Sequence, residues 1–459
     1  MTLHKAIQTY HDLLTAEVAA ESQAQLEAQQ QRRGLFFGER PLCTVLRPRF
    51  LTPAQYRFIQ RRTRALLRAF DKIHQAGLAD KTFRAQFDLL DWEEELVQHD
   101  PGFRPAIPIS RLDAFFVPHP QPLSQGERGG ELRFTEYNAE TPAASAYNDA
   151  LTDVFYTLPV MQEFLRRFQV FSLPARHGVL HALLATYRQW AGRSEAPCIA
   201  ILDWREVPTY SEFVLFEAYF KAQGLACIIA DPREVEYHNG RLMAGDFQIT
   251  LIYKRVLISE LIERGGLDQP VVRAVRDGAV CMVNPFACKM LYKKASLAVL
   301  SDERNAHLFN AAESQAIADH IPWTRRVEER HTQYEGQTVD LIPFINQHRE
   351  RLVLKPNDDY GGRGIVLGWN VDSTAWEEAV QTALTTPYIV QERITIPSEP
   401  YPSLIEGQLH IFERMLDTAP FVFHSDSIYG CLTRLSTAAL LNVSAGGGST
   451  VPTFLVDKR

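Results

Sequence analysis

The order of apolar and polar positions divides the chain into a helical start and a longer strand-rich remainder. Residues 4–33 are rich in Ala, Gln and Glu and read as one helix stopped by Gly34. Thr52-Pro53, an N-cap residue followed by Pro at the first helical position, opens a second helix running to about Ala76 before Gly77. A third covers roughly Thr82 to Gln98. From about residue 108 short apolar runs alternate with turn residues. The run 197–203, the amphipathic stretch 211–223 and the run Ala226 to Ala230 form a βαβ unit. Phe247 to Val256 reads as a further strand. Helices at about 290–300 and 306–319 follow, then a strand ending at Lys355, a Gly-rich turn, a strand at 365–369, a helix at 374–385 and a strand at 387–392.

Composition narrows the function classes. The chain of 459 residues carries 48 basic and 55 acidic side chains, a formal charge of −7, and no broad basic excess for nucleic acid or a membrane surface. Hydrophobic residues at 46% and charged ones at 22% support a sizeable buried core rather than global disorder. No apolar run approaches the ~18 residues of a membrane-spanning helix. Residues 1–30 lack a signal-peptide core. The six cysteines have no Cys-x-x-Cys spacing and read as scattered buried thiols. The expectation is a cytoplasmic protein with neither nucleic-acid nor membrane partners.

Two stretches carry candidate chemistry. In 110–117, Arg111, Asp113, Phe115 and Val117 share one strand face; in 131–138, Leu132, Phe134, Glu136 and Asn138 share another. The 13 residues between, with three Gly and three Pro, make a long hairpin loop. The antiparallel register that matches apolar with apolar pairs Val117 with Leu132, Phe115 with Phe134, Asp113 with Glu136 and Arg111 with Asn138. Opposed carboxylates repel, so a cation must compensate. Arg111, a divalent ion on Asp, Glu and Asn oxygens, or a surface salt-bridge ladder each satisfies that requirement.

The second stretch is 352–368. A strand delivers Lys355, a turn holds Gly361, Gly362, Arg363 and Gly364, and another strand leaves. Glycines let backbone N–H groups approach phosphate oxygens and Lys355 supplies a point charge; an ordinary hairpin loop has the same pattern. The spacing is neither a dinucleotide fingerprint nor a Walker loop. Downstream, Gln391-Glu392 ends an apolar strand as a hinge suited to a base and ribose. Upstream, Lys293-Lys294 lies on a helix.

Taken together, Arg111-x-Asp113, Glu136-x-Asn138-Ala-Glu140-Thr-Pro142, Lys294-Ala-Ser-Leu, Ile321-Pro-Trp-Thr-Arg325, Leu354-Lys355-Pro356, Val390-Gln391-Glu392 and Arg434-Leu-Ser with Asn442 to Gly448 follow one order. That order resembles the circularly permuted ATP-grasp family, the glutathionylspermidine synthetase-like carboxylate–amine ligases, from about residue 105 to 459. The resemblance implies an α+β fold: a permuted ATP-grasp with a pre-ATP-grasp-like βαβ layer and an N-terminal helical segment. It divides the chain into a helical region at 1–104, permuted strands with the metal ligands plus helices at 105–195, a βαβ substrate domain at 196–285 and a nucleotide-binding region at 286–459.

The roles implied are specific. Asp113, Glu136 and Asn138 would hold Mg²⁺. Lys294 and Lys355 would contact ATP phosphates, with the turn at Gly361, Gly362, Arg363 and Gly364 closing over them. Gln391 and Glu392 would grip base and sugar. Arg111 would stabilise charge on the transferring phosphoryl, and Arg434 would either assist it or belong to a structural hairpin. The implied activity is ATP-dependent joining of a carboxylate to an amine, each a small molecule or peptide, through an acyl phosphate. Loss of catalysis with retention of an assembly role, or a non-amine acceptor, is the alternative. Helices stand where such ligases often carry an amidase domain, which leaves the two substrates open.

Four further features carry weaker signals. His177 and His181 are four apart but lack the Glu of a zinc motif. Lys254-Arg255 reads as a solvated strand end, Asp203 as ambiguous, and 212–220 as the core face of a helix.

Overall fold

Thr52 opens the long helix Pro53–Ala79 by a capping box: its hydroxyl accepts from Gln55 N–H, and the Gln55 side chain accepts from Thr52 N–H. The helix is amphipathic, and Phe58, Leu66 and Phe70 enter the main core. The computed structural model describes residues 3–118, 130–359, 362–437 and 448–458. The loop at 119–129, Gly361 and the stretch Asn442 to Gly447 lie outside the described residues. The architecture is mixed α+β, and no helix among the described residues is long and apolar enough to cross a membrane.

Three sheets position the site. The largest runs Ser398–Ile405, Gln408–Leu416, Ser427–Ser436, Ala419–Phe423, Ile109–Pro118 and Gly130–Asn138 in spatial order, with Ser449–Val451 paired on Ser427–Ser436. A second sheet is antiparallel: Thr324–Arg326, Tyr388–Glu392, Leu352–Pro356 and Val366–Leu367. The third is parallel, in the order Cys281–Val283, Leu251–Lys254, Cys198–Leu202 and Ala226–Ala230. It contains the expected βαβ unit, whose helix Tyr210–Ala222 buries Phe213, Phe216 and Phe220.

The acid strands depart from the expected register at one point. Arg111 pairs with Asn138 and Asp113 with Glu136, but a bulge follows, and Ala114 pairs with Phe134, Phe116 with Leu132. Thr135 is the extra residue. Inserting it reverses the side-chain phase of its strand, so Leu132 and Phe134 face the core while Glu136 and Asn138 face away. Leu112, Ala114, Phe116, Leu132 and Phe134 are fully buried, and Tyr137 stacks tilted on Phe70 with ring centroids 4.5 Å apart. Phe115 and Val117, expected opposite Phe134 and Leu132, are only half-buried on the other face.

Other boundaries differ where tertiary bonds compete with local ones. The first helix is two, Leu3–Asp12 and Ala16–Arg33, because Thr15 caps the second by accepting from Val18 N–H. The region 82–98 breaks into Lys81–Arg84, Ala85–Phe87 and Asp91–Leu96, with Asp88 left-handed between them. The strand expected over 247–256 divides at Thr250. Its N–H and hydroxyl both bond the Cys198 backbone, leaving Phe247–Ile249 to a hairpin sheet and Leu251–Lys254 to the parallel one. The helix expected at 290–300 breaks at Lys293, because Lys294 N–H bonds Asn357 O instead of continuing it.

The bulge makes a measurable claim. Phe134→Ala should lower unfolding stability by about 3–5 kcal/mol, as for a buried core aromatic, and Phe115→Ala by well under half of that. Denaturant unfolding of the two variants checks it. Equal losses would return Phe134 to the Phe115 face.

Candidate functional site

Each of two sheets buries one face against helices and turns the other toward a shared gap. In the antiparallel sheet of Thr324–Arg326, Tyr388–Glu392, Leu352–Pro356 and Val366–Leu367, Leu352, Leu354 and Val390 pack on Trp376, Val380 and Ile345, so the alternate residues Val353, Lys355 and Gln391 face outward. The acid strands likewise pack on the Pro53–Ala79 helix and turn Asp113 and Glu136 outward. Between them lies a cavity of about 190 Å³, lined among others by Asp113, Glu136, Lys355, Gln391, Asp417 and Arg434.

Two guanidiniums grip Asp113. Arg111 donates from Nε to Oδ1 at 2.7 Å and from NH2 to Oδ2 at 3.1 Å, and Arg434 NH2 donates to Oδ2 at 2.6 Å. Burial opposes ionisation, but Arg111 and Arg434 outweigh it and hold the Asp113 carboxyl well below the usual carboxylate range. Asp417, buried on the turn before Ala419–Phe423, accepts from both Arg434 N–H and Arg434 Nε at 2.6 Å. Its own carboxyl is raised by burial, which Arg434 only partly offsets beside the Asp113 charge. Asp417 carries no local sequence signal; strand pairing across the sheet brings it to Arg434.

The lysines meet the acids from the other side. Lys294 Nζ lies 3.3 Å from Glu136 Oε1 and donates to Asp359 O at 2.5 Å. Lys355 Nζ donates to Gln391 Oε1 at 2.7 Å, and Gln391 Nε2 donates to Thr324 Oγ1 at 2.9 Å. Burial pushes the Lys355 ammonium down to about 8; Glu136 resists this and Lys294 adds to it. Four cations, Arg111, Arg434, Lys294 and Lys355, face three carboxylates, Asp113, Glu136 and Asp417. The excess is positive, which suits an anion.

The remaining expected residues are placed less uniformly. Gly362 lines the cavity, Gly364 adopts φ +66°, and Arg363 is exposed and outside the lining. A Cβ at Gly364 would come within 2.7 Å of Pro356 Cγ, so that turn requires glycine. Glu392 also lines the cavity, and its carboxylate accepts from Tyr334 hydroxyl at 3.1 Å. Arg111, Lys294 and Asn138 stand outside the lining; Arg111 reaches it through Asp113 and Lys294 through Glu136, while Asn138 pairs with Arg111 across the two strands. Lys254 and Arg255, expected at a solvated strand end, are buried: Lys254 faces Glu140 at 3.4 Å and Arg255 bonds Glu212 at 2.9 Å. Asp203 is buried beside them, its carboxyl raised by burial to about 7. His177 and His181 lie on the helix Arg176–Ala191 with ring centroids 6.2 Å apart.

Asp113, Glu136 and Asn138 offer oxygens, the donor chemistry of a hard cation such as Mg²⁺. Among the described residues no group of three or more His, Cys, Asp or Glu side chains is placed to hold a metal by itself. Mg²⁺ needs no such cage, because it keeps waters and uses one or two carboxylates plus phosphate oxygens. The Asn138 amide nitrogen is buried with no hydrogen-bond partner. The residues fit a metal that arrives with phosphates.

No protein-family model matches the chain, and no curated protein matches it. Among solved structures it is similar to the apo form of a glutathione synthetase-like effector from Globodera pallida. The TM-score is 0.58 at 11% sequence identity, over 96% of this chain and 98% of that one. At that identity the likeness is one of fold.

The titration of Lys355 gives the site a pH signature. Its ammonium is lost as pH rises through about 8, so affinity for a phosphate-bearing anion should be highest below that pH and fall above it. An anion beside the ammonium draws the proton back, so binding near that pH should be accompanied by proton uptake. Calorimetric titration in buffers of different ionisation enthalpy measures both. An affinity that stays level through this range would remove Lys355 from anion binding.

Proposed function

We propose that this chain is an ATP- and Mg²⁺-dependent carboxylate–amine ligase built as a circularly permuted ATP-grasp protein. The observation that carries the reading is the cavity at which Lys355 and Arg434, with Lys294 outside the lining, converge on Asp113 and Glu136 with one positive charge in excess. A site of this kind is suited to a polyanion whose charge shifts during reaction. The likeness of fold to a glutathione synthetase-like effector supports the same reading.

In the proposed reaction a substrate carboxylate oxygen attacks the γ-phosphorus of ATP, and the bond from that phosphorus to the bridging oxygen of ADP breaks. The resulting acyl phosphate is attacked at carbon by an amine. A C–N bond forms, phosphate leaves, and the nitrogen loses a proton to solvent. Lys355 and Lys294 bind the phosphates as point charges. Gln391 orients Lys355 through their hydrogen bond. Arg434, fixed between Asp113 and Asp417, presents a guanidinium whose direction is set before substrate arrives, so little reorganisation is needed as charge develops. Mg²⁺, held by Glu136 and Asn138 with Asp113, would neutralise phosphate charge.

One observation favours a second reading. Both Asp113 oxygens are engaged by guanidiniums, which would suit a protein that binds nucleotide without turning it over. Incubation with ATP, Mg²⁺ and pooled carboxylates and amines separates the two. The ligase reading expects ADP release that requires both pools, and a loss of about a hundredfold or more in Lys355→Met. ATP binding without ADP release in any pool would support the second reading.

A further inference from the structure

The short segment 85–93 lies outside the candidate site but is tied to both of its nucleotide-side arms. Asn357, two residues after Lys355, is 2% exposed. Its Nδ2 donates to Phe87 O at 3.0 Å, its Oδ1 accepts from Ala295 N–H at 2.8 Å, and its carbonyl accepts from Lys294 N–H at 2.9 Å. The next residue, Asp358, is held by Lys289 at 2.9 Å and Lys293 at 3.3 Å. Both lysines reach back to Glu93, which is fully buried: Lys293 at 2.8 Å and Lys289 at 3.7 Å. The same segment bonds the other arm, because Asp88 receives Arg326 at 2.6 Å and Thr324–Arg326 pairs directly with the strand carrying Gln391.

We propose that residues 85–93 form a brace that fixes the base of the Gly-rich turn against the Gln391 strand, with Glu93 as its positioning residue. The physical reason is charge balance in a dry place. Glu93, Glu140 and Asp358 neutralise Lys254, Lys289 and Lys293 in one continuous network, and all but Asp358 are almost wholly removed from water. Removing the Glu93 charge leaves three lysines on two carboxylates. Lys293 then depends on Asp358 alone, and the residues that hold Asn357, Lys294 and thereby Lys355 lose their common anchor. Breaking one partner of a buried pair is costly because the other charge stays buried. This gives the helical start of the chain a task in the site, resting on the nucleotide reading only for what the brace serves.

The test uses the full chain. Without nucleotide, Glu93→Gln should speed amide hydrogen exchange at Asn357 and Lys294 by about tenfold or more, leaving Cys198–Leu202 unchanged. With MgATP as probe, its Kd should rise by a comparable factor, and Glu93→Asp should recover part of both effects. Unchanged exchange at those amides, or acceleration spread evenly through the molecule, overturns the brace. Should Glu93→Gln fail to fold, Asp88→Asn tests the other arm: exchange should quicken in Thr324–Arg326 and Tyr388–Glu392, and no change there overturns the proposal. If the wild type does not bind MgATP, the ligase reading falls, while the exchange comparison still decides the brace.

Discussion

One extra residue, Thr135, governs how this molecule uses its acid strands. Without a bulge, period-two alternation places Leu132 and Phe134 on the same face as Glu136 and Asn138. The hydrophobic core and the polar cavity would then compete for one surface. The bulge resolves that competition inside a single strand: the loop end packs on the Pro53–Ala79 helix and the open end faces Lys294. The charge arrangement of the cavity depends on this change of phase. Asp113 and Glu136 remain opposed, but their repulsion is offset by Arg111 and Arg434 on one side and Lys294 on the other.

Charge is handled differently in two neighbouring places. Around Asp113 the cations outnumber the acids, and the Lys355 ammonium is held by a neutral amide oxygen rather than a carboxylate. That is an unfavourable place for an ammonium, and it lies at a cavity. A few residues away, the network of Glu93, Glu140, Asp358 and three lysines is balanced and almost dry. Excess charge belongs where a ligand can complete it, and balanced charge belongs where only the fold is served. Asp358 and Lys294 stand at the boundary between the two, one residue from Asp359 and Lys293 respectively.

Several elements were legible because their causes are local. Thr52-Pro53 marks a helix start through a capping box made by residues three apart. The apolar runs at 198–202 and 226–230, separated by a helix, pair in parallel as their spacing predicts. Asp113 opposite Glu136 came from matching apolar and polar pairs at the open end, although the same rule misplaced Phe115 and Val117. Lys355 and Gln391 could each be placed on a strand, whereas the pairing of those strands, which brings both side chains to one cavity, came from the sheet. The burial of Lys254 and Arg255 was not legible. A strand end with two cations looks solvated until Glu140 and Glu212, more than forty residues away in each case, are brought against it.

By itself the sequence determined the start of the Pro53–Ala79 helix, the βαβ unit, which residues carry charge, and the order in which acids, lysines and the Gly-rich turn occur. These depend on bonds between near neighbours and on patterns of burial repeated every two or four residues. The tertiary structure alone decided the bulge at Thr135, the break between Lys293 and Lys294, the clasp of Asp417 on Arg434, and the tie from Glu93 to Asp358. Each is a choice between a local bond and a distant one, and the distant partner wins because a buried charge or backbone amide left alone costs more than an interrupted helix or an irregular strand.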